Sequence, residues 1–152
     1  MSTFRAEIRT ILIALQGSPW AIHPQVQEVI AEYTHFQQSG HTRTQTRRVS
    51  LQIFYASRAI DSLLKHMVEH EAIKVGTPIT TYLTLKRSLN RVQSHSIGGR
   101  TFSTPVVTDI DTLITDRNRY MHQANTFPSD LQVQGFLNKT IRAINEAITF
   151  PP

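Results

Sequence analysis

The longest helical pattern in the chain is LQIFYASRAIDSLLKHMVEHEAIKVG, residues 51–76. Its apolar side chains recur at the spacing of one helix face. The face is broad, which is typical of a helix that packs against several others. Gly76 ends the pattern, because glycine readily adopts the left-handed conformation that follows helix C-termini. The apolar stripe consists of Leu51, Phe54, Tyr55, Ala59, Leu63, Met67 and Val68.

Similar patterns flank this segment on both sides. Two of them begin with threonine followed by proline, which suits the first turn of a helix. A third begins with a serine and a glutamine in capping-box spacing. Between the helical patterns, we predict polar, basic loops over residues 38–48 and 93–103. Before the central segment, one stripe consists of Phe4, Ile8, Ile11, Leu12 and Leu15 and is ended by Gly17. The next stripe begins at Ser18-Pro19 or nearer Pro24 and consists of Val26, Val29, Ile30, Tyr33 and Phe36. After the central segment, the stripes are Ile79, Tyr82, Leu83, Leu89 and Val92 after Thr77-Pro78; Val106, Ile110, Leu113 and Ile114 after Thr104-Pro105; and Val133, Leu137, Ile141, Ile144 and Ile148 after Ser129 with Gln132.

These patterns predict an all-α fold. No segment alternates apolar and polar residues as a half-buried strand does. The 152 residues fit one domain. We therefore expect a single-domain bundle of about five to six helices over residues 1–152.

Composition excludes several kinds of chemistry. The chain has no cysteine, so disulfides, zinc–thiolate sites, iron–sulfur clusters and thiol nucleophiles are absent. It also lacks a phosphate-binding loop, a dinucleotide fingerprint and a serine-hydrolase elbow. The longest apolar run near the start, residues 11–15, is too short to span a membrane. We expect a soluble, cytoplasmic protein without membrane contact.

The charge is basic and unevenly distributed. The net charge is +5, and arginine supplies twelve of the sixteen Lys and Arg residues. Residues 34–59 and 73–107 contain no acid. Acid-free basic stretches suit a polyanion such as nucleic acid, and arginine binds phosphate through two parallel donors. A solvated basic face on an ordinary protein is the alternative.

Arg117 interrupts the apolar stripe that follows Thr104-Pro105. Arginine is almost never buried without a partner, so Arg117 either ends the core or points into a pocket or interface. On a continuous helix Arg117 and His122 lie about 140° apart. They can share a small target only if the helix unwinds before His122 or if a two-fold dimer brings both pairs into one cleft. A surface arginine and a histidine at a helix C-terminus are the structural alternative.

The segment Arg117-Asn118-x-x-x-His122 resembles the motif of the HEPN superfamily, in which an arginine and a polar residue precede a histidine. An apolar helix leads into the motif and an amphipathic helix follows it, as in that family. Residues 54–61, FYASRAID, are similar to the aromatic-to-acidic helix often found earlier in such domains. The resemblance covers residues 50–148 and is strongest over 105–148.

The resemblance implies a dimeric, metal-independent endoribonuclease that needs no cofactor, or a catalytically inactive relative that binds RNA, a nucleotide or a partner protein. Arg117 would clamp a phosphate, His122 would act as general acid/base, and Asn118 would orient the histidine or a phosphate oxygen. The setting would be toxin–antitoxin or antiviral defence, with an antitoxin or defence partner. A helical adaptor is a third interpretation. Packing against the core is the alternative role for Tyr120. Residues expected to contact RNA are Arg119, Tyr120, Arg43, Arg47, Arg48, Arg87, Arg91 and Arg100.

Two positions after His122 depart from the family pattern. Many toxin members carry a tyrosine two residues after the histidine, as an acceptor for nucleotide modification, whereas this chain has Ala124. Inactivation by that route is therefore not expected. Gln123 stands where glycine or proline is frequent, so the local turn can differ.

The segment from His66 to His70 matches the H-x-x-E-H pattern of inverted zinc proteases. Histidines four apart on a helix can share a metal ion. Met67 nevertheless belongs to the apolar stripe, and no distant acidic ligand is evident. We therefore interpret the pair as part of a solvated helix face and predict no metal site.

Overall fold

The computed structural model describes residues 2–152, with side chains from Arg5 onward, so the predicted role of the Phe4 side chain lies outside the described residues. Six α-helices confirm the all-α bundle. Residues 2–152 contain no strand, only an isolated bridge between Ile97 and Arg100. The helices are α1 (Ser2–Gln16), α2 (Pro24–Ser39), α3 (Gln45–Lys74), α4 (Leu85–His95), α5 (Thr104–His122) and α6 (Asp130–Ala147), with a 3-10 turn at Pro19–Ile22.

α3 is the central helix of the bundle. It packs against α2, α4, α5 and α6, as its broad apolar face predicts. Ile53, Leu63 and Met67 are fully buried along it. All six helices contribute to one continuous hydrophobic core.

Specific polar contacts fix the ends of the bundle. The capping box at Ser129 and Gln132 is present, with both reciprocal hydrogen bonds formed. Trp20 is fully buried in the 3-10 turn, and its Nε1 donates to the Phe150 carbonyl at 2.7 Å. This bond ties the segment between α1 and α2 to the C-terminal end of the chain.

Several predicted boundaries are wrong. No helix begins at Thr77-Pro78: residues 75–84 are non-helical, and α4 begins at Leu85. The segment is rich in β-branched residues, which lose side-chain freedom in a helix. The Thr84 side chain instead accepts a hydrogen bond from the Arg87 backbone N–H at 3.2 Å and caps α4. The loops are also shorter than predicted, because α2 extends to Ser39, α3 already begins at Gln45 and α4 continues to His95.

None of the helices within residues 2–152 is long and apolar enough to cross a bilayer.

Candidate functional site

The motif lies on the last turns of α5, and the helix remains intact through His122. The backbone becomes extended only at Gln123, with φ −94° and ψ 125°. The helix therefore does not unwind before His122. Arg117 and His122 keep the separation of about 140° that a regular helix imposes, and one chain alone does not bring them together.

Arg117 is half-buried and lies near Asp61 of α3. Within the described part of the chain, it forms no hydrogen bond and no ion pair. The Oδ1 atom of Asp61 is buried and has no hydrogen-bond partner there. Burial raises the pKa of Asp61, and the positive charges of Arg117, Lys65 and Arg58 oppose that rise, Arg117 most strongly. A carboxyl and a guanidinium thus interact electrostatically while neither side chain is used in a hydrogen bond within residues 5–152.

An exposed aromatic ring lies beside Lys65. Tyr82 is 70% exposed, and the Lys65 Nζ lies 5.2 Å from its ring centroid. Arg87 reaches the same place, since its Nη1 donates to the Tyr82 carbonyl at 3.1 Å. Among the arginines predicted to contact RNA, Arg87 is thereby placed next to Tyr82. Tyr82 was predicted to join a helix stripe, and that prediction is wrong because residues 75–84 are not helical.

Sequence reasoning missed the approach of Asp61 to Arg117 and of Lys65 to Tyr82. Asp61 was present in the aromatic-to-acidic segment, but no role followed from that pattern. Tyr82 lies outside the helices, and its contact with Lys65 of α3 forms only in the folded chain. The aromatic-to-acidic segment was a sequence signal for Asp61, whereas no sequence signal pointed to Tyr82.

Asn118 and His122 are exposed, and no hydrogen bond to either side chain occurs within the described residues. Arg119 differs, because its Nη2 contacts Asp116 Oδ1 at 3.2 Å and the Tyr120 hydroxyl at 3.0 Å. Its guanidinium also lies 4.8 Å from the Tyr120 ring centroid. Tyr120 is half-buried against the core. Arg119 and Tyr120 therefore form a local structural unit, and their predicted contact with RNA remains a prediction.

The predicted basic residues near the start of α3 lie far along that helix from Asp61. Arg48 pairs with Asp130 at 3.0 Å, which joins the start of α3 to the start of α6. Asp61 lies about 20 Å farther along α3, at 1.5 Å per residue. Arg43 and Arg47 are exposed beside Arg48. RNA could reach both places only by running along the bundle.

Arg91 and Arg100 occupy the opposite part of the molecule. The Arg100 Nη1 donates to the Thr149 carbonyl at 2.9 Å, beyond the end of α6. That position lies about 28 Å along α6 from Asp130. Arg91 lines a small cavity with Val68 and His95 near the end of α3. Arg48 and Arg100 thus lie near opposite ends of α6, and the contact of the two basic groups with RNA remains a prediction.

No family model matches the chain, and no curated protein and no solved structure shows significant similarity to it.

Proposed function

We propose that this protein is a metal-independent endoribonuclease of the HEPN type that acts as a homodimer in the cytoplasm. Arg117 stabilises the phosphate, His122 transfers protons, and Asn118 orients the reacting groups. The biological setting that we propose is toxin–antitoxin or antiviral defence, with an antitoxin or another defence protein as partner.

The state of Arg117 carries this proposal. A half-buried guanidinium without an ion pair retains its donors for a ligand, and the paired donor geometry of arginine fits a phosphate. The nearby Asp61 lowers the cost of holding this charge away from water. It does so without occupying the guanidinium in an ion pair. By contrast, the neighbouring Arg119 already uses its donors within the chain.

The angle between Arg117 and His122 supports a dimer. Because α5 stays helical through His122, a second chain is the remaining way to place both side chains on one phosphate. Exposed apolar residues occur on both sides of His122 in the chain: Met121, Phe127 and Leu131 are 40%, 51% and 81% exposed. Apolar side chains exposed in this way are typical of association surfaces.

Lys65, Tyr82 and Arg87 extend the proposed RNA contact. Lysine and arginine supply phosphate contacts that do not depend on sequence. An exposed aromatic ring can stack on an unpaired base, which is how many proteins hold single-stranded RNA. The site would therefore favour single-stranded RNA over a duplex.

The reaction uses a nucleophile that RNA already carries. His122 accepts the proton of the 2′-OH as its oxygen attacks the adjacent phosphorus, and the bond from phosphorus to the 5′-oxygen breaks. The leaving oxygen then takes a proton from the His122 imidazolium formed in this step. Arg117 stabilises the charge that develops on the phosphate oxygens. The products are a 2′,3′-cyclic phosphate and a free 5′-hydroxyl.

The decisive experiment is an RNA cleavage assay in EDTA with the wild-type protein and the Arg117→Ala and His122→Ala variants. We expect metal-free cleavage with a 2′,3′-cyclic phosphate end, and a loss of at least about 100-fold in each variant. Arg9→Ala and His41→Ala are matched controls, because both residues are exposed and lie on other elements. These controls should cleave like the wild type.

The same assay includes the non-enzymatic alternative. RNA binding without cleavage, weakened by Arg117→Ala, would show a binding protein and overturn the enzymatic proposal. Cleavage that persists in both variants would show that the motif does not act. A circular-dichroism spectrum of each variant establishes that a lost activity is not a lost fold.

A further inference from the structure

Three histidines from two parts of the chain meet on the face of α3 that looks away from Arg117. His23 Nδ1 lies 2.8 Å from His66 Nε2. The ring centroids are 4.9 Å apart for His23 and His66, 4.6 Å for His23 and His70, and 6.0 Å for His66 and His70. At 100° per residue, His66 and His70 point about 140° and about 180° away from Asp61 around α3. The cluster is therefore separate from the candidate nuclease site.

The local fold explains why the three rings meet. His66 and His70 are one helical turn apart on α3, so their side chains lie on the same face. His23 is the residue between the 3-10 turn and α2. Trp20 contacts all three rings, with centroid distances between 5.2 and 6.0 Å. Because Trp20 is itself anchored to Phe150, the turn that carries His23 is held against α3.

The spacing of the rings matches a shared metal ion. Zinc binds imidazole nitrogen at about 2.0–2.1 Å in tetrahedral geometry. Three histidines on one such ion have ring centroids about 5.2 Å apart and ligating nitrogens about 3.3 Å apart. The three observed centroid distances lie on both sides of that value.

The nitrogen atoms themselves have not yet taken up ligand positions. No group of three or more His, Cys, Asp or Glu side chains between Ser2 and Pro152 is arranged to hold a metal ion as it stands. His23 and His66 hydrogen-bond directly at 2.8 Å, about half an ångström closer than two ligands of one tetrahedral ion. Small side-chain rotations that open this bond would turn the nitrogens toward a common centre. All three rings are partly exposed, which leaves room for these rotations and a route for an ion.

We propose that His23, His66 and His70 form a three-histidine site for a zinc-class divalent ion, which assembles when the ion replaces the His23–His66 hydrogen bond. Neutral imidazole is a good ligand for zinc and for neighbouring transition metals. Three histidines leave a fourth position for water or another small ligand. The ion would bridge the Trp20 turn to α3, so it would stabilise the fold.

The electrostatic surroundings favour neutral rings. Burial, together with the neighbouring His23 and His70, lowers the pKa of His66 to about 4. Burial, His23 and Lys74 likewise lower the pKa of His70, while Glu71 opposes this shift. Lys74 is partly neutralised, because its Nζ lies 3.8 Å from Glu71 Oε2. These shifts favour the neutral form of His66 and His70, which is the form that binds a metal ion.

Zinc titration of EDTA-stripped, dialysed full-length protein tests this site. Calorimetry should show one zinc ion per chain, and zinc should raise the melting temperature, since an ion that binds only the folded state stabilises it. Trp20 is the only tryptophan, so its fluorescence should change with the same stoichiometry. His66→Gln with His70→Gln should weaken zinc binding by at least about 100-fold.

Two further variants keep the test decisive. His23→Gln alters a partly exposed residue outside the helices, so it should fold while also losing affinity. His41→Ala is the control, because this exposed histidine lies away from the cluster, and its zinc binding should equal that of the wild type. Absence of stoichiometric zinc binding at about 0.1 mM, or binding unchanged in folded His23→Gln and in the double variant, would overturn the proposal. The site stands independently of the nuclease, because its readouts do not involve RNA.

Discussion

Arg117 of α5 lies near Asp61 of α3, and neither forms an ion pair within the described part of the chain. Asp61 Oδ1 is buried without a hydrogen-bond partner. Asp61 thus stabilises the Arg117 guanidinium electrostatically while the N–H donors of the arginine stay unpaired among the described residues. This relationship distinguishes Arg117 from Arg48, Arg58 and Arg142, which pair directly with acids.

The first prediction concerns the titration of Asp61. Replacing Arg117 with alanine removes the largest of the charge contributions that lower the pKa of this carboxyl, so the pKa should rise further. NMR titration of the labelled carboxyl would measure the shift. Lys65→Ala should raise the pKa by less, because Lys65 contributes less. An unchanged pKa in Arg117→Ala would show that the two groups do not interact.

The second prediction concerns stability and pH. A carboxyl whose pKa is raised by folding contributes stability that is full below its unfolded pKa, near 3.8, and is lost as the pH rises through the folded value. Asp61→Asn cannot ionise, so its free energy of unfolding relative to wild type should increase between about pH 3 and about pH 7. Urea denaturation at both pH values measures this difference. A difference that does not change with pH would contradict the raised pKa.

The third prediction tests whether the proposed active site is shared. If Arg117 of one chain acts with His122 of the other, a mixed dimer of Arg117→Ala and His122→Ala contains one complete site. Unfolding and refolding the two inactive variants together should restore about a quarter of the wild-type cleavage rate, since half of the dimers are mixed and each has half of its sites intact. If mixing restored nothing while mass spectrometry detected mixed dimers, the shared site would be refuted.

The fourth prediction concerns the exposed ring beside Lys65. Tyr82→Ala should weaken the binding of single-stranded RNA by about 1–3 kcal/mol if a base stacks on it. Tyr82→Phe keeps the ring and should bind like the wild type. Fluorescence anisotropy with a labelled oligonucleotide provides the measurement. Equal losses in both variants would assign the effect to the hydroxyl rather than to stacking.

The fifth prediction compares two adjacent glycines in the turn before Phe102. Both have positive φ, but a Cβ at Gly98 would lie 2.2 Å from Pro151 Cγ, whereas a Cβ at Gly99 would meet nothing within 4 Å. Gly99→Ala should cost about 1 kcal/mol from backbone strain alone. Gly98→Ala should cost more, because the C-terminal segment must also shift. Urea denaturation would measure the free energy of unfolding of both variants. Equal decreases would show that the contact with Pro151 does not affect stability.

The sequence predicted the helices whose signals are local. α5 and α6 begin where Thr104-Pro105 and the Ser129 capping box place them, because caps act within one turn of the chain. The helix predicted at Thr77-Pro78 does not form, and the reason is also local. A proline permits a helix start, but the β-branched residues after it oppose continuation, and the Thr84 cap begins the helix later.

The sequence predicted the spacing of the candidate site residues along α5 but not their surroundings. The spacing of Arg117, Asn118 and His122 is a property of the sequence, and so is the angle between Arg117 and His122 on an unbroken helix. Their environment is not, because burial and charge depend on which helices pack against α5. The approach of Asp61 to Arg117 therefore had to come from the packing of α3 against α5.

The sequence by itself determined an all-helical chain with a central amphipathic helix, a surplus of arginine and a motif at the end of α5. Periodicity and capping encode these features in neighbouring residues, so no long-range contact is needed to find them. Only the tertiary structure decided that α5 remains helical through His122, that Arg117 lies near Asp61, and that His23 joins His66 and His70. The last two relationships depend on contacts between distant segments, since packing selects which surfaces of each helix meet.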